Sequence, residues 1–585
     1  MRAWLIVLLL LPLIAHPQPT PAPGTKPPPP DRTTQQQVDL ADHSLAFRAI
    51  VSTHRFTAGT VAEADVVTTA FVLDGIAGGP RPVTFVVNGG PGSASAWLDL
   101  LALGPWRVRL PQDGVLSPSL DPALIPNEQT WLGFTDLVFI DPPGTGYSQL
   151  IASGDDVRRK YWATEGDVNT IASTIRRWLE ANGRLASPKI LVGESYGGFR
   201  GPRLARRLAE TESVGLRGLM LISPVLHFNA WDSDWQPFAW LTRVPSMAAA
   251  NQRSETRNME AEAYVTGEYL TDFLRGRSDS AAVARMATHI TALTGLDPAL
   301  VQKRGGRIDW WTVQREHEPG RVGSAYDLTI TTLDPDPMAQ SVRTPDAVVD
   351  ALRAPVSAAA ASMYADKLGW RADGAPAPRY EILNDAVFRG WTYSGQQTAA
   401  ESVSALNLAL AADPAMHVKI VHGLYDLVTP YFGSKLILDQ LPPAQAKRAT
   451  LLALPGGHMF YTDDKSRGCC NGEGGVALVR EGLCLLPWPT TWPRERCHND
   501  LCGLVRLQQR GGRCGRGLSI ADHAVIGRLD HRVQVSLGAK SQDHRVARLD
   551  VGAIPVAPFT YLLNGVLGRA QQLDDLRFRH VRVGT

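Results

Sequence analysis

The first 468 residues of this 585-residue chain contain no cysteine, since all six cysteines lie at or after Cys469. The larger part of the chain must therefore fold without disulfide bonds. Net charge is also nearly absent, because 59 Lys and Arg residues balance 57 Asp and Glu residues and leave a formal charge of +2. A chain without a basic excess has no electrostatic footprint for nucleic acid or an anionic membrane. We therefore expect its partner to be a small molecule or a peptide.

The amino terminus carries an apolar run over residues 3–15 that is too short to span a bilayer comfortably. A single arginine before such a run is typical of a secretory signal peptide, so residues 1–15 predict a secreted or periplasmic protein. No cleavage site stands out, and an uncleaved signal anchor stays an alternative. Residues 16–34 are rich in proline and predict an extended linker, with the folded domain beginning at residue 35.

The sequence has six short apolar runs that are rich in Val, Ile and Leu, and each is followed by Gly, Asp, Ser, Pro or His. Continuous runs of this length are typical of strands buried on both faces, and stretches between them such as Thr164–Ala181 and Arg200–Thr211 suit helices. The alternation predicts an α/β fold with a doubly wound, mostly parallel sheet, whose ligands bind at the carboxyl ends of the strands. The runs are PVTFVVNGG (82–90), LVFIDPPG (137–144), KILVGESYGG (189–198), LMLISP (219–224), VKIVHGLYD (418–426) and ATLLALPGGH (449–458).

Between residues 228 and 400 the strand pattern stops, and Ala-rich, charged sequence compatible with helices takes over. This composition predicts a mainly helical cap inserted into a core formed by residues 35–227 and 401–467. Insertions after a strand commonly wall one side of a pocket. We expect the cap to shape substrate choice and to contribute none of the chemistry.

The sequence Gly193-Glu194-Ser195-Tyr196-Gly197 matches the G-x-S-x-G pattern of a nucleophile at a sharp strand-to-helix turn. A serine hydroxyl is a weak nucleophile, and it needs a base that is itself oriented by an acid. On this fold the order along the chain is Ser, Asp, His. Asp426 and His458 end the last two apolar runs and are the predicted acid and base; the alternatives are a loop-capping carboxylate and an ordinary loop histidine. His417, His422 and His498 are poorer candidates for the base.

The sequence Asn88-Gly89-Gly90-Pro91-Gly92 follows another apolar run and offers backbone amides at close range. An oxyanion hole requires two such donors. We predict one N–H from Gly90 and one from Tyr196, the residue after the nucleophile. By itself a Gly-Gly-Pro-Gly run is more often a turn, so this prediction depends on the serine motif.

Five segments in chain order resemble the signature segments of the serine carboxypeptidase family over about residues 45–467. The resemblance implies an α/β-hydrolase fold and removal of single residues from peptide carboxyl termini through an acyl-enzyme, usually at acidic pH and without a metal or organic cofactor. It also implies that Asn88 and Glu194 bind the free terminal carboxylate of the peptide. The segments are NGGPG (88–92), DPPGTGYS (141–148), GESYGG (193–198), GLYD (423–426) and GGHM (456–459).

Glu194 can bind a negatively charged substrate only when it is protonated, so we expect desolvation and like-charge repulsion to raise its pKa. The alternative is an exposed residue of the turn. Two departures from the family are Ser93, where many relatives have Cys, and Ala102, where some place a second carboxylate-sensing Glu. The second departure weakens the expectation of a strongly acidic optimum. An esterase, an acyltransferase or an inactive binding protein on the same fold remain alternatives.

Residues 468–585 form a tail of different composition, which holds every cysteine and only one lysine, Lys540. Its six cysteines could form three disulfides in a small appended module. A zinc site is a second interpretation, although the spacings fit no common site. The third is an out-of-frame extension, favoured by the abrupt start where the family has its final helix and by the use of Arg for Lys. The candidate zinc ligands are Cys469, Cys470, Cys497, His498 and Cys502.

Overall fold

The computed structural model describes most of the chain between residues 30 and 472 and three short strands further on. The chain divides into two compact units, residues 1–499 and 500–585. The predicted signal peptide lies outside the described residues. Among the helices that the structure describes, none is both long and apolar enough to cross a membrane. The described ranges are 30–75, 81–111, 114–228, 235–338, 345–371, 378–393, 400–472, 524–529, 532–537 and 547–551.

The described strands of the first unit form one large sheet and two small ones. The large sheet has ten described strands in the order β1-β2-β3-β7-β4-β9-β10-β13-β14, with β8 paired to β3; β5 pairs with β6, and β11 with β12. In chain order the strands are β1 (Arg32–Asp39), β2 (Ser44–Ala58), β3 (Val61–Leu73), β4 (Val83–Val87), β5 (Trp106–Val108), β6 (Leu124–Pro126), β7 (Asp136–Ile140), β8 (Gln149–Leu150), β9 (Lys189–Glu194), β10 (Gly218–Ile222), β11 (Arg321–Gly323), β12 (Thr331–Leu333), β13 (His417–Gly423) and β14 (Ala449–Leu454).

Each of the six apolar runs of the sequence matches, to within one residue at its start, one of the six strands that run parallel at the centre of the sheet, from β7 to β14 in sheet order. This confirms the predicted α/β-hydrolase type of fold with a mostly parallel sheet. Successive residues of a central strand enter opposite cores: Val86 and Val192 pack in one apolar cluster, Phe85 and Leu191 in another. Burial on both faces is the reason that these strands lack polar alternation.

Three antiparallel strands, β1 to β3, precede the parallel part and were not predicted from the sequence. Strand β1 begins at Arg32, so the predicted linker boundary at residue 34 is wrong, and the domain starts before residue 35. Its sequence, RTTQQQVD, is polar because β1 lies at the edge of the sheet, where most of its side chains remain exposed or half-buried.

Helices pack on both faces of the sheet, and the described segment between β10 and β13 is mainly helical. Helices α3 and α4 pack against one face, while α12 packs against the other. In chain order the helices are α1 (Ala96–Leu98), α2 (Asp155–Tyr161), α3 (Thr164–Ala181), α4 (Tyr196–Thr211), α5 (Pro237–Leu241), α6 (Val244–Gln252), α7 (Met259–Thr266), α8 (Glu268–Arg275), α9 (Ser280–Thr294), α10 (Pro298–Arg304), α11 (Trp310–Glu316), α12 (Val349–Ser362), α13 (Asp385–Gly390), α14 (Val403–Ala412), α15 (Tyr431–Asp439), α16 (Pro443–Ala446) and α17 (Asp464–Cys469). Wide, π-helical turns follow α1 (Asp99–Leu103) and α12 (Met363–Lys367), and tight, 3₁₀-helical turns span Trp131–Gly133 and Phe460–Thr462.

The described residues of the second unit form three antiparallel strands, β15 (Ala524–Leu529), β16 (Arg532–Leu537) and β17 (Ala547–Val551), paired in that order. Cys497, His498 and Cys502 lie outside the described residues. The described part of the chain contains no group of three or more His, Cys, Asp or Glu side chains placed to hold a metal ion.

The first unit does not end at residue 467, because helical turns continue from α17 through residue 472. Cys470 is buried and forms no disulfide among the described residues, and the cysteines after Cys470 lie outside them. Asn471 accepts a hydrogen bond from the Trp131 indole N–H at 2.7 Å and donates to the Gln129 carbonyl oxygen. The predicted boundary between residues 467 and 468 is therefore wrong, since the first residues of the tail pack against the core.

We expect Asn471→Ala to lower the free energy of unfolding by about 1–3 kcal/mol, because it leaves the buried Trp131 N–H without a partner. Chemical denaturation measured by tryptophan fluorescence checks this. Gln440→Ala, at an exposed residue after α15, is the control and should change stability by less than about 0.5 kcal/mol. Equal stability of the two variants would contradict a structural role for residues 468–472.

Candidate active site

Ser195 lies at the junction of β9 and α4 with φ at +58° and ψ at −117°. Residues other than glycine adopt such a backbone conformation rarely, and it stores strain at functional sites. The Ser195 side chain does not cap α4, and the residue is partly exposed between buried neighbours. A Cβ atom on Gly193 would lie 2.2 Å from the Gly197 carbonyl oxygen, and one on Gly197 would lie 2.4 Å from the Val87 carbonyl oxygen. The turn therefore requires both glycines.

Asp426 and His458 meet beyond the carboxyl ends of β13 and β14. His458 Nδ1 lies 2.8 Å from Asp426 Oδ2, and both side chains are buried. Asp426 also accepts hydrogen bonds from the Val428 N–H, the Thr429 N–H and the Thr429 hydroxyl. An acid held in this way fixes the proton of His458 on Nδ1 and leaves Nε2 free to accept one.

The electrostatics of this pair suit a base and the acid that orients it. Burial lowers the pKa of His458, but the charge and hydrogen bond of Asp426, with a contribution from Glu194, raise it more, so it lies above its ordinary value. Burial raises the pKa of Asp426, but the same His458 interactions and the Thr429 hydrogen bonds outweigh burial and lower it. Asp426 stays ionised, whereas the basicity of His458 is lost as the pH falls through its raised pKa.

The turn after β10 connects two segments of the site. One is the turn that carries Ser195 (193–197), called the nucleophile turn, and the other is the loop that carries His458 (456–458), called the histidine loop. The Ser195 N–H donates to the Ile222 carbonyl oxygen at 2.9 Å, and the Val225 N–H donates to the Ser195 carbonyl oxygen. The Ser223 hydroxyl donates to the His458 carbonyl oxygen at 2.8 Å. Ser195 and His458 are thus attached to the same short turn. The apolar run LMLISP (219–224) predicted the end of β10 but not its contacts with Ser195 and His458.

The predicted oxyanion-hole residues lie where the glycine loop after β4 contacts the nucleophile turn. A Cβ atom on Gly89 would lie 2.6 Å from the Tyr196 nitrogen and 2.8 Å from the Ser195 Cβ. Only a residue without a side chain fits this contact. It brings Gly90 and Tyr196, whose N–H groups are the predicted donors, to adjacent places beside Ser195.

Glu194, the residue before the nucleophile, is in direct contact with Asn88. The Asn88 side-chain amide and the Tyr461 hydroxyl each donate to one oxygen of the Glu194 carboxyl group. Asn88 is oriented by the Leu98 N–H, which donates to its Oδ1 at 3.2 Å. Burial raises the pKa of Glu194 above its ordinary value, although His458 and the two hydrogen bonds act in the opposite direction. The expected elevation of this pKa therefore agrees with the structure, with burial as its main cause.

Tyr461 was not identified from the sequence as a partner of Glu194. It lies three residues after His458, in the tight turn Phe460–Thr462, and its side chain is buried. Its place directly after the histidine loop is the one signal that could have marked it.

The inserted segment contacts both loops of the site. The Tyr326 carbonyl oxygen accepts the His458 N–H, and its ring packs edge-on against the imidazole with 5.2 Å between ring centroids. The Asn384 N–H donates to the Gly92 carbonyl oxygen at 2.8 Å. The Ala94 N–H donates to the Ile382 carbonyl oxygen. The insertion therefore supports the histidine loop and the glycine loop, in addition to any effect it has on substrate choice.

A strained serine at a strand-to-helix turn, with a buried Asp–His pair at the same edge of a doubly wound sheet, is the arrangement of α/β-hydrolases. Within this class the chain belongs to the serine carboxypeptidase family, whose family model matches residues 78–453. The resemblance noted in the sequence motifs is thereby confirmed, and the chain is a hydrolase of this family.

Among curated proteins, similar sequences include fungal pheromone-processing carboxypeptidases KEX1. The protein from Yarrowia lipolytica is 34% identical over 145 residues, which cover 24% of this chain and 21% of that protein. The protein from Saccharomyces cerevisiae is 29% identical over 175 residues, covering 27% of this chain and 22% of that protein. The chain thus spans about a fifth of the length of these curated relatives.

Among solved structures, the proline iminopeptidase of Mycobacterium smegmatis matches with a TM-score of 0.30 at 13% identity, over 77% of this chain and 99% of that one. A thermostable carboxyl esterase from Bacillus coagulans matches with a TM-score of 0.34 at 12% identity, over 74% of this chain and 98% of that one.

We expect Ser195→Ala and His458→Ala each to lower kcat by about 10⁴-fold or more, and the double variant to lose no more than either single one. The effects do not add because the two residues would act as a unit. Steady-state kinetics on a peptide substrate check this, with circular dichroism to verify folding. His289→Ala, at an exposed histidine on α9, is the control and should keep full activity. More than about a tenth of the activity in Ser195→Ala would overturn the assignment of the nucleophile.

Proposed function

We propose that the chain is a serine carboxypeptidase that releases residues from peptide carboxyl termini through an acyl-enzyme. Ser195 attacks the last peptide carbonyl while His458 accepts its proton and Asp426 stabilises the resulting imidazolium. The N–H groups of Gly90 and Tyr196 bind the oxyanion. His458 then protonates the leaving amine, and water hydrolyses the ester formed on Ser195. Family membership supports this chemistry, which needs no metal or organic cofactor because side chains and backbone donors supply every step.

The observation that carries the proposal is the buried Glu194 carboxyl next to the nucleophile. A neutral carboxyl can donate a hydrogen bond to a substrate carboxylate, whereas an ionised one repels it. Burial raises the pKa of Glu194, which extends its neutral form to higher pH. Asn88 adds an amide donor, since its Oδ1 is already occupied by the Leu98 N–H. Together they form a site for a peptide with a free carboxyl terminus.

Glu194 and His458 influence each other, since each contributes to the pKa shift of the other. A proton shared by two coupled groups belongs to the pair. With the proton on His458 the pair is ionic and unreactive; with the proton on Glu194 the base is free. A bound substrate carboxylate repels ionised Glu194 and so moves the proton to Glu194. Substrate binding would therefore produce the protonation state that the reaction needs.

An esterase or acyltransferase is the second candidate function. One observation favours it, because it indicates weaker recognition of the substrate carboxylate than in some relatives. Ala102 is buried in the wide turn Asp99–Leu103, where some relatives place a second carboxylate-sensing Glu. Recognition would then depend on Glu194 as the single acid. An inactive binding protein is a third candidate, which labelling of Ser195 by a fluorophosphonate would exclude. We further propose export to the periplasm or the medium, on the basis of the amino-terminal apolar run.

The proposal predicts a bell-shaped pH dependence of kcat/KM for a peptide with a free carboxyl terminus. The acid side falls as His458 becomes protonated, and the alkaline side falls as Glu194 ionises. The amide of the same peptide lacks the carboxylate and should show only the acid side. Glu194→Gln keeps a donor but cannot ionise, so KM for the free acid should stop rising with pH. Measuring KM against pH for both peptides on both proteins checks this.

Two further variants sharpen the experiment. Tyr461→Phe removes a hydrogen bond that favours ionised Glu194, so the alkaline side should move to higher pH. Glu63→Gln is the matched control: Glu63 is buried, accepts a hydrogen bond from the Tyr161 hydroxyl, and lies on β3, three strands from β9. It should leave the profile unchanged. A parallel rise in KM for acid and amide peptides would contradict carboxylate recognition by Glu194.

A further inference from the structure

Arg200 is a fully buried cation in contact with residues of the candidate active site. It lies on the first turns of α4, four residues after Tyr196, and only 1% of the residue is exposed. Its Nε donates to Asp167 Oδ2 at 2.5 Å and its Nη2 lies 3.3 Å from Asp167 Oδ1. Asp167, near the start of α3, is equally buried. Because burying two charges carries a large desolvation cost, stability alone is a weak reason for such a pair.

The remaining guanidinium nitrogen reaches the glycine loop. Arg200 Nη1 donates to the Asn88 carbonyl oxygen and lies 3.4 Å from that of Gly89. The Gly89 carbonyl belongs to the same peptide group as the Gly90 N–H, and that bond is trans. In a planar trans peptide the C=O and N–H point in opposite directions. A cation that holds the Gly89 oxygen therefore turns the Gly90 N–H away from Arg200.

The same contact also polarises the donor. Withdrawal of electron density by a hydrogen bond at a peptide oxygen makes the N–H of that peptide a stronger donor, as in hydrogen-bonded chains. In a buried site the guanidinium charge acts with little screening. The Ser93 N–H holds the Gly89 oxygen from a second side at 3.2 Å. The Gly89 carbonyl oxygen thus accepts from two donors, the Arg200 guanidinium and the Ser93 N–H.

Arg200 contacts the other predicted donor residue as well. Its guanidinium carbon lies 4.8 Å from the centroid of the Tyr196 ring and 5.8 Å from that of Trp391. The Trp391 indole N–H donates to the Tyr196 hydroxyl at 3.1 Å. One side chain therefore contacts the carbonyl oxygen of the Gly89–Gly90 peptide and the ring of Tyr196, whose N–H is the second proposed donor to the oxyanion.

We propose that Arg200, held by Asp167, is a positioning residue that orients and polarises the oxyanion hole. This inference rests on the proposed acyl transfer at Ser195. It assigns Arg200 an effect on the charged transition state rather than on substrate binding. Loss of a residue that served only the fold would destabilise the protein, but it would not weaken transition-state binding more than substrate binding.

The test compares Arg200→Lys with Arg81→Lys. Arg81 is also buried and paired with a buried carboxylate, Asp136, but this pair lies at the amino ends of β4 and β7, the opposite edge of the sheet. The substrate is a neutral ester, which does not engage Glu194, and the transition-state analogue is a peptide boronic acid, which forms a tetrahedral adduct with serine.

For Arg200→Lys we expect kcat for the ester and the affinity for the boronic acid each to fall about 10- to 100-fold, with KM within about threefold of wild type. Arg81→Lys should leave all three within about twofold, whatever its loss of thermal stability. If Arg200→Lys does not fold, Asp167→Asn releases the guanidinium with little change in volume and should lower boronate affinity relative to KM in the same way.

Boronate affinity in the folded variant equal to that of Arg81→Lys would overturn the role of Arg200 while leaving the proposed function intact. A wild-type protein that neither hydrolyses the ester nor reacts with a fluorophosphonate would overturn the proposed function and, with it, this inference. The two failures are therefore distinguishable.

Discussion

The close contact between the glycine loop and the nucleophile turn is the constraint on which the rest of the site depends. Strands β4 and β9 are neighbours in the sheet, so the segments that follow them leave the same edge side by side. The contact leaves no room for a side chain at Gly89 or Gly197. It brings the predicted oxyanion donors together and places Asn88 against Glu194. A side chain at either glycine would separate all of these groups.

The candidate site also contains several buried ionisable groups. Asp426 and His458 form one buried pair, and Asp167 and Arg200 form another. The charges of both Asp426 and His458 contribute to the pKa of Glu194. Interactions between charges strengthen when water is excluded, so small changes in protonation have large effects here. The proposed mechanism uses this sensitivity, because substrate binding selects the protonation state of Glu194.

Most of the framework of this arrangement could be predicted from the sequence, because buried parallel strands are apolar throughout and end in the residues that face the ligand. Strand β1 could not, since an edge strand rich in glutamine resembles a linker. The role of Arg200 could not either, because Asn88 and Asp167, its partners, are distant in the chain. For Tyr461 the sequence offered only its place three residues after His458. The packing of Asn471 on Trp131 was missed because these two residues, too, are distant in the chain. Local patterns report burial and turns, whereas contacts across the fold require the fold itself.

The central claim, exopeptidase action from a free carboxyl terminus, is tested most directly by following the products of one peptide over time by mass spectrometry. A peptide with a free carboxyl terminus should give a ladder of products shortened one residue at a time from that end, and Ser195→Ala should give none. The amide of the same peptide should be shortened far more slowly. Internal cleavage, shortening from the amino terminus, or equal rates for acid and amide would contradict the account.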